Sequence, residues 1–159
     1  MKRNIYLDFS YLLFIAMSLG AVIVLGAIVA PVVFHSDRYL VGMLIDHYNM
    51  GIIMGEIFHR FSYWIYALAL YIAVYEAYMY KQGQRDALLF AAAFASLFTA
   101  LLFSAVYAPQ ILVMQSMGKE ATQSDTFAHI HMASEIDFKI LAVALAVLFV
   151  RRLMLLRIN

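Results

Sequence analysis

The sequence predicts an all-α protein: a polytopic bundle of four transmembrane helices, built as two tandem helical-hairpin repeats. Three observations predict it. Apolar residues make up 65% of the chain and charged residues 13%, and the mean hydropathy is +0.84, whereas a soluble domain is about half apolar and a quarter charged. Two long runs, from Asp8 to His35 and from Asp86 to Lys119, carry no charge between their ends, and each exceeds the roughly 20 residues a spanning helix needs. An Ala-Pro step followed by a loop and a His-x-x-Ser step also occurs twice. At 159 residues the chain is read as one transmembrane domain, 1–159, with no room for a separate soluble catalytic domain.

The first span is read over 9–34. Lys2 and Arg3 precede it, but the apolar run is too long for a signal-peptide core and lacks a small-residue cleavage site, so it is expected to stay in the membrane. The second span, 50–80, is less clean. Arg60 and Glu76 bracket an aromatic segment (Tyr63, Trp64, Tyr66, Tyr71, Tyr75) too short to cross alone, so the helix must take in Glu56 and His59. The third span is 87–114. In the fourth, 130–153, Lys139 and Arg151 bracket only a short apolar run, so the helix must reach back to about His131. Lys2, Arg3, Lys81, Arg85, Arg151, Arg152 and Arg157 fall on one side. By the positive-inside rule both termini are expected in the cytoplasm, and the location is read as a bacterial inner membrane.

The first span ends in Ala30-Pro31 and the third in Ala108-Pro109, and these are the chain's two prolines. Each following span then opens on His59-x-x-Ser62 or His131-x-x-Ser134. Two hairpins in the same frame are related in parallel, about an axis near the membrane normal, which would let His59 and His131 face each other. Pro31 and Pro109 remove ladder hydrogen bonds and are expected to kink their spans near the outer end.

Ionisable groups in lipid are costly and mark candidate sites. Glu56, His59 and Arg60 share one helical face, as do His131, Glu135 and Lys139; Asp137 falls off the second stripe. One reading makes Glu56–Arg60 and Glu135–Lys139 self-neutralising pairs at the membrane edge. The sharper reading is a cavity near the outer leaflet. There His59, His131, Glu56 and Glu135 act as ligands, and Arg60 and Lys139 balance charge. With no cysteine, thiolate sites are excluded. Ten methionines supply thioethers instead, and Met43, Met50, Met54, Met114, Met117 and Met132 gather at the outer side. Thioether with imidazole suits Cu(I), so copper is the favoured ion, with Met54 and Met132 completing the set. Haem b on His59 and His131 is the other cofactor reading. The single Glu-x-x-His argues against a di-iron bundle. Gly51 and Gly55 form a small-residue face that serves the monomer or a homo-oligomer. Asp37, Arg38, Asp46, His35 and His47 read as a solvated loop. A net charge of +1 offers nothing for nucleic acid, and no phosphate loop, nucleophile elbow or two-histidine zinc motif is present.

Gly20-Ala21, Gly26-Ala27-x-x-Ala30-Pro31-x-x-Phe34, Gly51-x-x-x-Gly55-x-Ile57-Phe58 and His131-x-x-Ser134 together resemble the four-span family of transmembrane protein 205 and its bacterial relatives, a family of unknown function. More loosely, the chain is similar to the copper-resistance D proteins and the HemJ-type protoporphyrinogen oxidases. The resemblance implies four helices, a membrane location and a link to metal handling. HemJ-type proteins carry a histidine in their first span; residues 9–34 hold none, which argues against that activity.

The expectation is therefore a non-enzymatic integral membrane protein with an outward-facing His/Glu site, binding or translocating a metal ion, copper favoured. The alternatives are a haem-binding membrane oxidoreductase and a structural or assembly subunit without a ligand of its own.

Overall fold

The computed structural model describes residues 5–41 and 45–158, the last two by backbone alone. Lys2, Arg3 and Met43, named above, lie outside the described residues. Four long helical rods alternate in direction. The first is α1 (Ile5–Val24), a π turn (Leu25–Val29) and α2 (Ala30–Phe34) in one line; a 3-10 turn (Ser36–Arg38) follows. The second is α3 (His47–Lys81). The third is α4 (Ala87–Leu102), a second π turn (Phe103–Tyr107) and α5 (Ala108–Ser116). A short α6 (Lys119–Thr122) leads to the fourth rod, α7 (Asp125–Ile158). No strand occurs among the described residues.

The chain's own chemistry sets the ends. Asp46 caps α3 by accepting the Asn49 N–H at 2.9 Å, and Asp86 caps α4 by accepting that of Leu89 at 2.8 Å; both satisfy orphan amides of a first turn. Gly83, at φ +90°, turns the chain between α3 and α4, and Gly118, at φ +104°, turns it between α5 and α6. A side chain would be strained at such angles.

Both prolines sit two residues beyond the end of a π turn. A proline ring clashes with the carbonyl four residues back and has no N–H to give it; the wider turn moves that carbonyl away. One carbonyl of the second π turn, that of Ser104, accepts the Tyr66 hydroxyl of α3 at 2.9 Å. In an apolar medium such a group must find a partner within the protein.

Three rods are long and apolar enough to cross a membrane: Ile5–Phe34, His47–Lys81 and Ala87–Ser116. At 34 residues α7 matches them in length, but Glu135, Asp137, Lys139, Arg151 and Arg152 interrupt its apolar run. It packs chiefly against α4, then α1. The inner stripe of α7 carries Ser134, Asp137, Phe138, Leu141, Ala144, Leu145, Leu148 and Arg152. Opposite it, α4 offers Ala92, Ala93, Ser96 and Ala100, small residues that let the two backbones approach. A cluster of phenylalanines fills the middle: Phe138 meets Phe103 with ring centroids at 4.8 Å and Phe58 at 5.4 Å.

Candidate functional site

A cluster of buried polar and charged groups lies at the end of the bundle that holds the α3–α4 turn. Asp8 and Tyr11 come from the first turns of α1, Tyr75 and Glu76 from the last turns of α3, and Arg152 from α7; all five are buried. Arg152 pairs with Glu76 and also donates to Gln84 in the turn. The Tyr11 hydroxyl donates to Glu76 at 2.7 Å, and that of Tyr75 donates to Asp8 at 2.5 Å. The two tyrosine rings stack at 3.7 Å, and the guanidinium lies 5.0 Å from the Tyr75 ring centre. At the rim, Ser10 and Tyr71 share a hydrogen bond of 2.6 Å. Hydrogen bonds to ionised groups are stronger than neutral ones, and low local dielectric strengthens them further. Three rods are therefore fastened at one point.

Beside this lock, Arg151 grips Asp86 with two bonds, Nη2 to Oδ2 at 2.6 Å and Nε to Oδ1 at 3.1 Å. The Arg151 guanidinium, and then the Leu89 N–H, hold the Asp86 carboxyl below the usual carboxylate range. At the opposite end Lys119 reaches Asp46 at 3.2 Å and ties the two connections there together. The Asn49 N–H, then Lys119, lower the Asp46 carboxyl likewise.

The residues singled out by sequence lie elsewhere. Glu56 accepts from Arg60 at 2.7 Å on the exposed face of α3. His59 is exposed beside Tyr63. On α7, His131 lies 3.4 Å from Glu135, and Lys139 lies 3.6 Å from the same carboxylate. Each of these contacts is made within one helix. Met54 is buried, Met132 is 58% exposed, and the two do not share a surface. Among the described residues, no group of three or more His, Cys, Asp or Glu is close enough to hold a metal ion. In the two His-x-x-Ser steps both serines are buried, Ser62 bonding to the carbonyl four residues back (Phe58) and Ser134 to that three back (His131).

The Gly51/Gly55 face is filled by the chain itself. Gln115 of α5 donates to the Gly51 carbonyl at 2.8 Å, and a β-carbon on Gly55 would run into the Gln115 side chain and Leu112. The small-residue step therefore serves the packing of α3 against α5 within the chain.

Sequence reasoning passed over the lock because it used Asp8 and Glu76 to mark the ends of runs and counted Arg152 only among the charges of one membrane side. A signal was present. Leu141, Leu145, Leu148 and Arg152 follow the four-and-three spacing of one helical face, so the arginine continues the apolar stripe.

Rods of this length and hydropathy around a buried ionic lock define an all-helical membrane protein. The chain belongs to the family described as Domain of unknown function (DUF4149), whose model matches residues 13–120. No curated protein and no solved structure matches it. The match begins within α1 and stops before α7, so Asp8, Tyr11 and Arg152 of the lock lie outside it and Tyr75, Glu76 and Gln84 inside.

Proposed function

We propose that the protein is a non-enzymatic assembly component of the membrane, spanning it four times. The exposed polar strip of α7 would dock a second copy of the chain. One observation carries this reading: Glu135 and Lys139 are 54% and 75% exposed on the bundle surface at a depth that should be hydrocarbon. They precede Arg151 by 16 and 12 residues, or about 24 and 18 Å of helix at 1.5 Å per residue. With Arg151 at one boundary, both fall within a core about 30 Å thick. Facing lipid, such charges are costly; facing another strip of the same kind, they are answered. A two-fold axis beside α7 would set Glu135 of each copy near Lys139 of the other, because such an interface is self-complementary.

The excess of Lys and Arg at the lock end supports cytoplasmic termini, as in a bacterial inner membrane. Recurrence of a π turn before Ala-Pro and of an inward serine after each histidine supports two tandem repeats. A second reading retains the metal. His131 beside Glu135 supplies two ligands per chain, and a pair of chains would supply four, a set that suits zinc or copper.

The absence of cysteine makes the test clean. Ile136→Cys, on the strip, should form a disulfide-linked dimer in native membranes, and Phe94→Cys, exposed on α4, should not. Lys139→Glu should abolish the cross-link, and the added change Glu135→Lys should restore it. Equal cross-linking at both positions, or none at Ile136, would sink the docking reading. Elemental analysis of the cross-linked dimer decides the second reading, for which zinc or copper must co-purify and must be lost in His131→Ala.

A further inference from the structure

Asp137 differs from every other acid of the bundle interior. It is buried on the inner stripe of α7, and its Oδ2 has no hydrogen-bond partner. Glu76 and Asp8, the other buried acids, are held by Arg152 and Tyr11 and by Tyr75. Asp137 lies 14 residues before Arg151 and 12 after Asp125, about 21 and 18 Å along the helix. It is thus near the middle of the rod and far from both polar ends.

No cation faces it. Between Asp86 and Lys119 the third rod has no charged residue, and its only titratable side chain is Tyr107. The first rod has none between Asp8 and His35 apart from Tyr11. On α3, Glu56, His59, Arg60 and Tyr63 are exposed on the outer surface, and the Tyr66 hydroxyl is engaged by Ser104. On its own helix, Glu135 and Lys139 are exposed and His131 lies against Glu135. An unpaired carboxylate at such a place would cost several kcal/mol, and the group avoids that cost by keeping its proton.

The surroundings offer a way to change. Phe138, the next residue, packs on Phe103 at the start of the second π turn. It also lies 3.6 Å from where a β-carbon on Gly26 would stand, in the first π turn. Both irregular turns therefore touch the residue beside the acid. A π turn carries one surplus residue and recurs at functional sites.

We propose that Asp137 is a proton-binding site in the bundle interior, occupied as the neutral acid in this packing and releasing its proton to water when the π turns repack and admit solvent. The chemistry is a single equilibrium, carboxylic acid to carboxylate plus a proton, with no other reactant. The proposal stands on burial within one chain and is independent of the docking strip on the exposed face.

Infrared difference spectroscopy on the full chain in lipid nanodiscs tests it. Wild type minus Asp137→Asn, at neutral pH, should show one protonated-carboxyl C=O band that shifts in deuterium oxide. Raising the pH should convert it reversibly to carboxylate bands while the amide bands stay helical. Asp137→Glu should move the band in frequency, which keeps the assignment secure if the Asn variant folds poorly. Carboxylate bands already present at neutral pH would overturn the proposal. So would an acid band unchanged up to the pH at which the helices unfold, since the group would then be a sealed neutral acid that exchanges nothing.

Discussion

Arg152 is the largest side chain that the bundle buries completely, and its guanidinium is answered by Glu76, Gln84 and two tyrosine faces. Desolvating this ion is costly; both terminal nitrogens are bonded, while Nε stays buried without a partner. Glu76→Gln leaves the positive charge without its counter-ion and keeps one acceptor oxygen where Tyr11 and Arg152 use two, so the folded state should lose about 3–5 kcal/mol. The double variant Glu76→Leu with Arg152→Met should recover most of this, since an apolar pair of similar volume is often neutral or better. Unfolding titrations in mixed micelles measure both; a near-neutral single variant would show that the lock is not a structural element. Asp86 behaves differently, because its partner Arg151 is part-exposed. Its carboxyl is held low by Arg151, so the stabilisation is fully present above the unfolded value of about 4 and is lost as the pH falls through the folded value. Asn caps a helix nearly as well as Asp, so Asp86→Asn removes only the ion pair. The difference in Tm between the two proteins should be constant near neutrality and vanish in stronger acid; a gap that persists there would assign the effect to something other than this pair.

Among the elements, α3 is joined to both hairpins. Trp64 donates to Ser18 of α1 at 2.9 Å, Tyr66 reaches the second π turn, and Tyr48 donates to the Gln115 carbonyl at 2.8 Å. The close approach of α5 at Gly51 and Gly55 depends on missing side chains. Gly55→Val should force Gln115 out, break its bond to the Gly51 carbonyl and cost about 1–3 kcal/mol by overpacking. Pairing Gly55→Val with Gln115→Ala should return part of that loss, and a thermal melt with no such rescue would remove Gln115 from the account. Helix bounds follow from the sequence here because Asp46, Asp86, Gly83 and Gly118 are local signals that act within one turn. Where kinks were expected at Pro31 and Pro109, each rod carries a π turn just before the proline. That choice depends on whether a neighbour such as Tyr66 is present to satisfy a displaced carbonyl, which spacing along one chain does not reveal.

For the molecule as a whole, composition and charge-free runs were enough to predict long apolar rods, because the cost of exposing backbone and apolar surface in the wrong medium depends on residue type and run length alone. The same holds for which helical faces carry Glu56, His59 and Arg60 or His131, Glu135 and Lys139, since a regular helix sets angular spacing without reference to its neighbours. Which way those faces point was decided only by the packing. The sequence-based cavity required the histidine stripes to turn inward. In the structure Phe58, Ser62, Ser134 and Phe138 take the inward positions, and the histidines are left toward the surface. The reason is area and fit: phenylalanine rings bury far more apolar surface than paired charges can, and an intrahelical ion pair is satisfied wherever the helix rotates. Asp8, Glu76 and Arg152 lie 68 to 144 residues apart in the chain, and nothing local in the chain couples them; they meet because alternating rods bring one end of each helix together. Composition therefore determined the medium and the helices, whereas the mutual rotation of the rods decided which charges are solvated, which are locked in pairs, and which one, Asp137, is left without a partner.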